Sequence, residues 1–198
     1  NKVKASAGFD AIAQALESLV SKKSNEESVN YASKSLEVSI NSYIPFLDNP
    51  SLKNATEMSI ASNLAGKAIS ISKTTAPHAV SYPFTSLFNI SHGHAVSLFF
   101  ESFFNYNFNN LKKSETNFDL KKRFKLIFDL LNVNNINEFN SIISIIKKKA
   151  NLEDNLKILN IDTKKNSDKI IQGINLLRLG NNPVKIDSNN IYKIITKT

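Results

Sequence analysis

His78, His92 and His94 are the only histidines of the chain, and all three fall within seventeen residues. Imidazole is the commonest metal ligand and the usual proton carrier near neutral pH, so chemistry is expected in this segment. Pro77 suits the first turn of a helix, and a helix starting there sets His78 and Tyr82 on one face at a spacing of four. His92 follows His78 by fourteen residues and stands just past Ser91, which is fit to cap a further helix. Far upstream, Asp10 and Gln14 share a helical face, again four apart, and Glu17 continues it. A carboxylate and two imidazoles from three helices form a sensible ligand set for zinc or ferrous iron. On the residues alone an alternative stays open, with Asp10 as a solvated or capping group and the histidines as hydrogen-bonded core residues.

The elements that must position these groups read as helices. Phe9, Ile12, Ala13, Leu16, Leu19 and Val20 recur at helical spacing. Ser24 and Glu27 form a capping box for a second helix carrying Val29, Ala32, Leu36, Ile40 and Tyr43, with Pro45 and Pro50 marking its end. From Ser51 to Ser72 a helix rich in Ala, Ser and Gly, with Met58, Ala61, Ala65 and Ala68 on one side, is expected to be central and buried. Phe99, Phe100, Phe103 and Phe104 are expected to fill the core or a subunit interface, and Asn105 to Asn117 to form a loop. Leu120 to Leu131 and Phe139 to Ile146 mark two more helices. Another runs from a Ser167 cap through Leu177 to Gly180, and a last short one is capped by Asp187 or Ser188. The expected fold is all-α, with roughly seven to nine helices in a single helical domain over residues 1–198.

Composition narrows the function classes. The 198 residues are 41% hydrophobic and 21% charged, which is the balance of a globular chain able to bury its own core. No apolar run approaches the length of a membrane span, and the start has no signal-peptide stretch. There is no cysteine, so disulfides and thiolate ligands are excluded and a cytoplasmic setting is expected. The net charge of +8 comes from lysines spread along the chain, with Arg123 and Arg178 the only arginines. No arginine-rich or concentrated basic patch is visible, so nucleic acid is not an expected partner.

Three segments carry a resemblance. Gly8-Phe-Asp10-Ala-Ile-Ala-Gln14-Ala-Leu-Glu17 is similar to the first metal motif of the iron-containing, group III, alcohol dehydrogenases, Asp-Ala-x-x-His-Ala-x-Glu. Ala76-Pro-His78-Ala-Val-Ser-Tyr82-Pro, through Ser91-His92-Gly93, resembles their second motif, His-Ala-x-x-His-Pro followed by Pro-His-Gly. Asn181-Asn-Pro183 and a final helix resemble the way that family's helical domain closes.

The resemblance implies the dehydroquinate-synthase-like C-terminal helical domain of a metal-dependent, NAD(P)-linked alcohol dehydrogenase or aldehyde reductase. It assigns Asp10, His78 and His92 as ligands of iron or zinc. Gln14 stands where many relatives place a fourth ligand histidine, so three protein ligands and water are the alternative, as in related zinc-dependent polyol dehydrogenases. Tyr82 stands where many relatives carry a non-ligating histidine near the nicotinamide. Tyr82 and His94 are then the local candidates for proton or substrate contacts, with a surface position for His94 as the other reading.

The combination of Thr74-Thr-Ala-Pro-His78 with His92-Gly-His94-Ala-Val resembles members associated with phosphonate-type aldehydes. Family members bind NAD or NADP mainly through an N-terminal domain with a glycine-rich loop. The five glycines here, Gly8, Gly66, Gly93, Gly173 and Gly180, form no such loop. The expected partners are therefore that nucleotide-binding domain, an alcohol or aldehyde, and possible further copies of the chain; the fragment alone is expected to be inactive. Two rivals are a dehydroquinate-synthase-like lyase, whose His-Gly-Glu resembles His92-Gly93-His94, and a stand-alone helical module without catalysis.

Overall fold

The computed structural model describes residues 2–197. Eleven α-helices follow one another: α1 (Lys2–Val20), α2 (Glu26–Asp48), α3 (Leu52–Ser72), α4 (Ala76–Phe88), α5 (His92–Ser97), α6 (Phe100–Asn109), α7 (Leu120–Leu131), α8 (Ile136–Lys149), α9 (Ser167–Gln172), α10 (Leu176–Leu179) and α11 (Ser188–Ile195). A 3₁₀ turn, Leu111–Lys113, follows α6, and the only extended pairing among the described residues is one bridge between Ser114 and Val184. The all-α expectation holds. The helix number exceeds the seven to nine expected because the segment from Ser167 to Gly180, which reads as one helix, is broken at Gly173–Asn175, and the phenylalanine segment, expected only to fill a core or interface, forms a helix of its own.

The central helix is α1, not α3. From Ala11 to Val20 every residue but Gln14 is buried, so this helix is apolar almost all round, as a core helix must be. It packs against α2, α3, α5 and α7. The Ala/Ser-rich α3 buries only Met58, Ala61, Ala65, Ala68 and Ser72, and its small residues serve one close contact with α2, where the Ser35 hydroxyl donates to the Ala61 carbonyl at 2.7 Å. Gly8 gives α1 the same freedom toward α2: a Cβ there would fall on the Tyr43 ring, whose hydroxyl donates to the Ala5 carbonyl at 2.5 Å.

Two apolar clusters share α6 between them. Phe100 and Phe104 face Phe9, Phe124 and Phe139, with Phe100 and Phe104 stacked at 4.6 Å. Phe99 and Phe103 face Phe84, Ile170, Ile191 and Ile195. All four phenylalanines are buried within the chain, so they fill its core rather than an interface. Burying each stabilises the fold by about 1.5–3 kcal/mol.

Local chemistry corrects three further expectations. The cap of α2 is Asn25, paired reciprocally with Ser28, rather than Ser24 with Glu27. Residues Asn105 to Asn109 continue α6 instead of looping, because Asn107 is buried and bonds Asn182 while Phe103 and Phe104 hold the preceding turn in the core. Pro45 sits inside the last turn of α2, which runs on to Asp48. Ser51 and Asp187 do cap α3 and α11, accepting from the backbone of Asn54 and Asn190. No described helix is long and apolar enough to cross a membrane.

Candidate metal centre

Asp10, Gln14 and Glu17 project from one face of α1, as their spacing requires. His78 lies in the first turn of α4, behind Pro77, and His92 is the first residue of α5. Asn89, in left-handed conformation with φ 53°, ends α4 and lets the chain double back into α5. Gly93 then allows α5 to press on α1: a Cβ there would fall on the Ser6 carbonyl oxygen and lie 2.9 Å from the Asp10 Cβ.

These contacts bring three donor groups together. One ligand atom from each of Asp10, His78 and His92 lies within 4.8 Å of the others. His78 Nε2 is 3.1 Å from Asp10 Oδ1, and His92 Nε2 is 3.8 Å from the same oxygen. The cluster is graded from inside to outside, with side chains 3% exposed at His78, 20% at Asp10 and 41% at His92. A ligand therefore approaches from the His92 side.

Behind His78 stands Glu17, fully buried. Its carboxylate accepts from the Thr75 N–H at 2.7 Å and the Thr75 hydroxyl at 2.9 Å, and meets His78 Nδ1 in a short hydrogen bond. Glu17 thus lies against the N-terminus of α4, where exposed N–H groups and the helix dipole favour negative charge. A proton on Nδ1 leaves Nε2 to face Asp10, and this carboxylate–imidazole pairing is the usual support of a metal-bound histidine. Burial would lower the pKa of His78, but the Glu17 and Asp10 carboxylates outweigh it and push it up to about 9. Burial lowers that of His92, which Asp10 pulls up while the charges of His78 and Arg178 push it down.

Gln14 donates its amide N–H to Asp10 Oδ2 at 2.7 Å. Because a carboxylate only accepts, the amide nitrogen must be the atom facing it. In this arrangement Gln14 holds the carboxylate rather than contributing a donor atom beside it. Tyr82 lies one turn beyond His78, its ring centroid 5.8 Å from that of His92. His94 is not brought to the cluster: its Nε2–H donates to the Glu153 carbonyl at 2.6 Å, tying α5 to the loop after α8.

Sequence reasoning gave no role to two groups around the cluster. Glu17 carries a detectable signal, a lone carboxylate in a helix turn whose other residues are all apolar or small. Arg178 carries none, since about a hundred residues separate it from Thr74 and Tyr82. Its guanidinium donates to Thr74 Oγ1 at 2.5 Å and lies 5.6 Å from the centre of the Tyr82 ring. Pro83 explains how it arrives there. With no N–H of its own, Pro83 leaves the Ala79 carbonyl without its helical partner, and that oxygen accepts from the Asn175 N–H at 3.2 Å. The short α10, with Arg178 on it, is thereby docked on α4.

An oxygen and two imidazole nitrogens, oriented by Glu17 and Gln14, suit zinc or iron. Comparison with known proteins gives the family. Residues 4–198 match the model of the Fe-containing alcohol dehydrogenase family, C-terminal. The chain belongs to that family.

As an Fe-containing alcohol dehydrogenase C-terminal chain it has similar solved structures. The archaeal halo-thermophilic Red Sea brine pool alcohol dehydrogenase ADH/D1 bound to NZQ is 20% identical with a TM-score of 0.88, over 99% of this chain and 50% of that one. Sulfoacetaldehyde reductase from Bifidobacterium kashiwanohense in complex with NAD+ is 23% identical with a TM-score of 0.84, over 100% and 51%. Alcohol dehydrogenase from Oenococcus oeni is 19% identical with a TM-score of 0.84, over 98% and 51%. The chain thus spans about half the length of these proteins. No curated protein matches its sequence.

Proposed function

We propose that this chain is the metal- and substrate-binding part of an NAD(P)-linked alcohol dehydrogenase or aldehyde reductase that works with ferrous iron or zinc. The observation that carries the reading is the convergence of Asp10, His78 and His92 on one side of α1, with Glu17 buried behind His78. When bound, the metal supplies the Lewis acid for the alcohol or aldehyde oxygen, and the nicotinamide the hydride acceptor or donor for its carbon.

The chain's own residues divide the remaining work. Glu17 and Thr75 fix the tautomer and plane of His78, while Gln14 holds Asp10 through Oδ2 and so keeps Oδ1 toward the two imidazoles. Tyr82 flanks the exposed approach beside His92 and is placed to contact substrate. Nicotinamide, whether NAD or NADP, is bound mainly by an N-terminal nucleotide-binding domain of the whole protein. The exposed pair Leu176 and Leu177, next to Arg178 in α10, offers that domain an apolar contact. A phosphonate-type aldehyde is the favoured substrate, supported by the residues around His78 and His92 and by a structural relative that is a sulfoacetaldehyde reductase.

The test is metal content and turnover in the protein expressed from its whole gene. Stoichiometric zinc or iron that His92→Ala removes, together with nicotinamide-dependent oxidation of small alcohols, is the expected result. Unchanged metal affinity in His92→Ala would overturn the reading. The 198-residue chain alone should bind neither NADH nor NADPH tightly in calorimetric titration.

A further inference from the structure

Arg178 is a half-buried cation with no carboxylate partner among the described residues. The chain's other arginine, Arg123, is engaged structurally, donating to the Leu19 carbonyl and the Ser24 hydroxyl and lying over the Phe118 ring. Arg178 instead has one hydroxyl, Thr74 Oγ1, and the Tyr82 ring. A guanidinium presents five N–H donors, so most of its fork is free for a planar or tetrahedral oxyanion. Charge balance argues the same way. The carboxylates of Asp10 and Glu17 would neutralise a divalent ion held by Asp10, His78 and His92, and the charge of Arg178 would then have no match.

A shared aromatic neighbour ties Arg178 to the exposed side of the cluster. The centre of the Tyr82 ring is 5.8 Å from that of the His92 ring and 5.6 Å from the Arg178 guanidinium. The geometry points to Arg178 as the residue that selects substrates carrying an oxyanion group, a carboxylate, sulfonate or phosphonate, besides the alcohol or aldehyde. This rests on the metal-site reading, because the metal fixes the other end of the substrate. The Pro83–Ala79–Asn175 connection makes it a built position, since a gap in the helix bonding of α4 holds the backbone that presents Arg178.

The experiment compares 2-hydroxyethanesulfonate, 2-hydroxyethylphosphonate and 3-hydroxypropanoate with neutral 1,3-propanediol, in the whole-gene protein and its Arg178→Gln and Arg178→Lys variants. The wild type should favour one or more anionic alcohols in kcat/KM. Arg178→Gln should cut that preference by tenfold to a hundredfold, mainly through KM, as loss of one or two charge-assisted hydrogen bonds does. Arg178→Lys should recover part of it, and which acid is favoured identifies the group. If Arg178 only anchored α10, both substrate classes would fall together and the preference would not move, which overturns the inference.

A readout free of turnover is the binding of methylphosphonate, followed by phosphorus NMR. Wild type should bind it and Arg178→Gln should not; equal binding, or none in the wild type, overturns the inference. Metal content measured in the same samples separates the two readings. Metal bound and diol oxidised without anion preference sinks this inference alone, whereas absence of both sinks the proposed function.

Discussion

A carboxylate behind an imidazole fixes which ring nitrogen carries the proton, and Glu17 does this for His78 from a position with no exposure to water. Removing its charge while keeping its shape is therefore informative. Glu17→Gln should lower zinc affinity by about tenfold to a hundredfold, the usual effect of losing such a support, and a chelator-competition titration measures it. An unchanged affinity would mean that Glu17 serves only the start of α4. At this scale the sequence was readable where chemistry is local. Asp10 and Gln14 are one turn apart, and Pro77 marks the turn that carries His78, so their faces follow from helix period. His94 was not, because its partner is the Glu153 carbonyl in a distant loop, and Arg178 was not, because its neighbours lie in α4 and the turn before it.

Among the elements, the approach of α5 to α1 is set by one absent methyl group. Gly93→Ala would drive a Cβ into the Ser6 carbonyl, and backbone cannot swing aside as a side chain can. The loss should exceed the roughly 1–3 kcal/mol of ordinary overpacking, with metal binding lost alongside. Gly66→Ala in α3 is the control, since nothing lies within 4 Å of the new Cβ. It should stabilise by about 0.5–1 kcal/mol. Thermal melts of the two variants decide this pair. Helix ends permit a pH prediction. Glu138, in the first turn of α8, accepts from the Asn134 backbone N–H and from the side chains of Asn134 and Asn135, and these bonds hold its pKa below the usual value. A depressed carboxylate stabilises the fold above its unfolded pKa of about 4.3, and that stability is lost as pH falls through the lower folded value. Glu138→Gln should flatten this acid limb in denaturation curves. The caps of α3 and α11 were legible because serine and aspartate act within three residues. The cap of α2 slipped by one position because Asn25 competes with Ser24, and α6 outran its expected end because burial of Asn107 overrides the weak helix propensity of asparagine.

For the whole molecule, the issue is how two apolar clusters become one folding unit. The chain crosses from one to the other between Ala150 and Leu152, which pack in the first, and Leu156 and Ile161, which pack in the second. Lys147 clamps that crossing. Only 5% exposed in its side chain, it pairs with Glu101 on α6 at 2.8 Å and with Asp154 in the crossing segment at 2.9 Å, while His94 holds the adjoining Glu153 carbonyl from α5. Helix-by-helix reading cannot find such a clamp, since its partners are dozens of residues apart and lysine in a run of three reads as a solvated helix end. Burial raises the pKa of Glu101, and the charge and hydrogen bond of Lys147 pull against that rise without cancelling it. Breaking one side leaves the other charge buried. Lys147→Met should destabilise the chain by about 3–5 kcal/mol, and adding Glu101→Leu should return much of the loss, because two apolar groups have no desolvation to compensate. Calorimetry of both variants separates the possibilities. If Lys147→Met splits one unfolding transition into two and the double variant rejoins them, the clamp couples the clusters; if both variants melt as the parent does, the clusters are joined by apolar contact alone and Lys147 is dispensable.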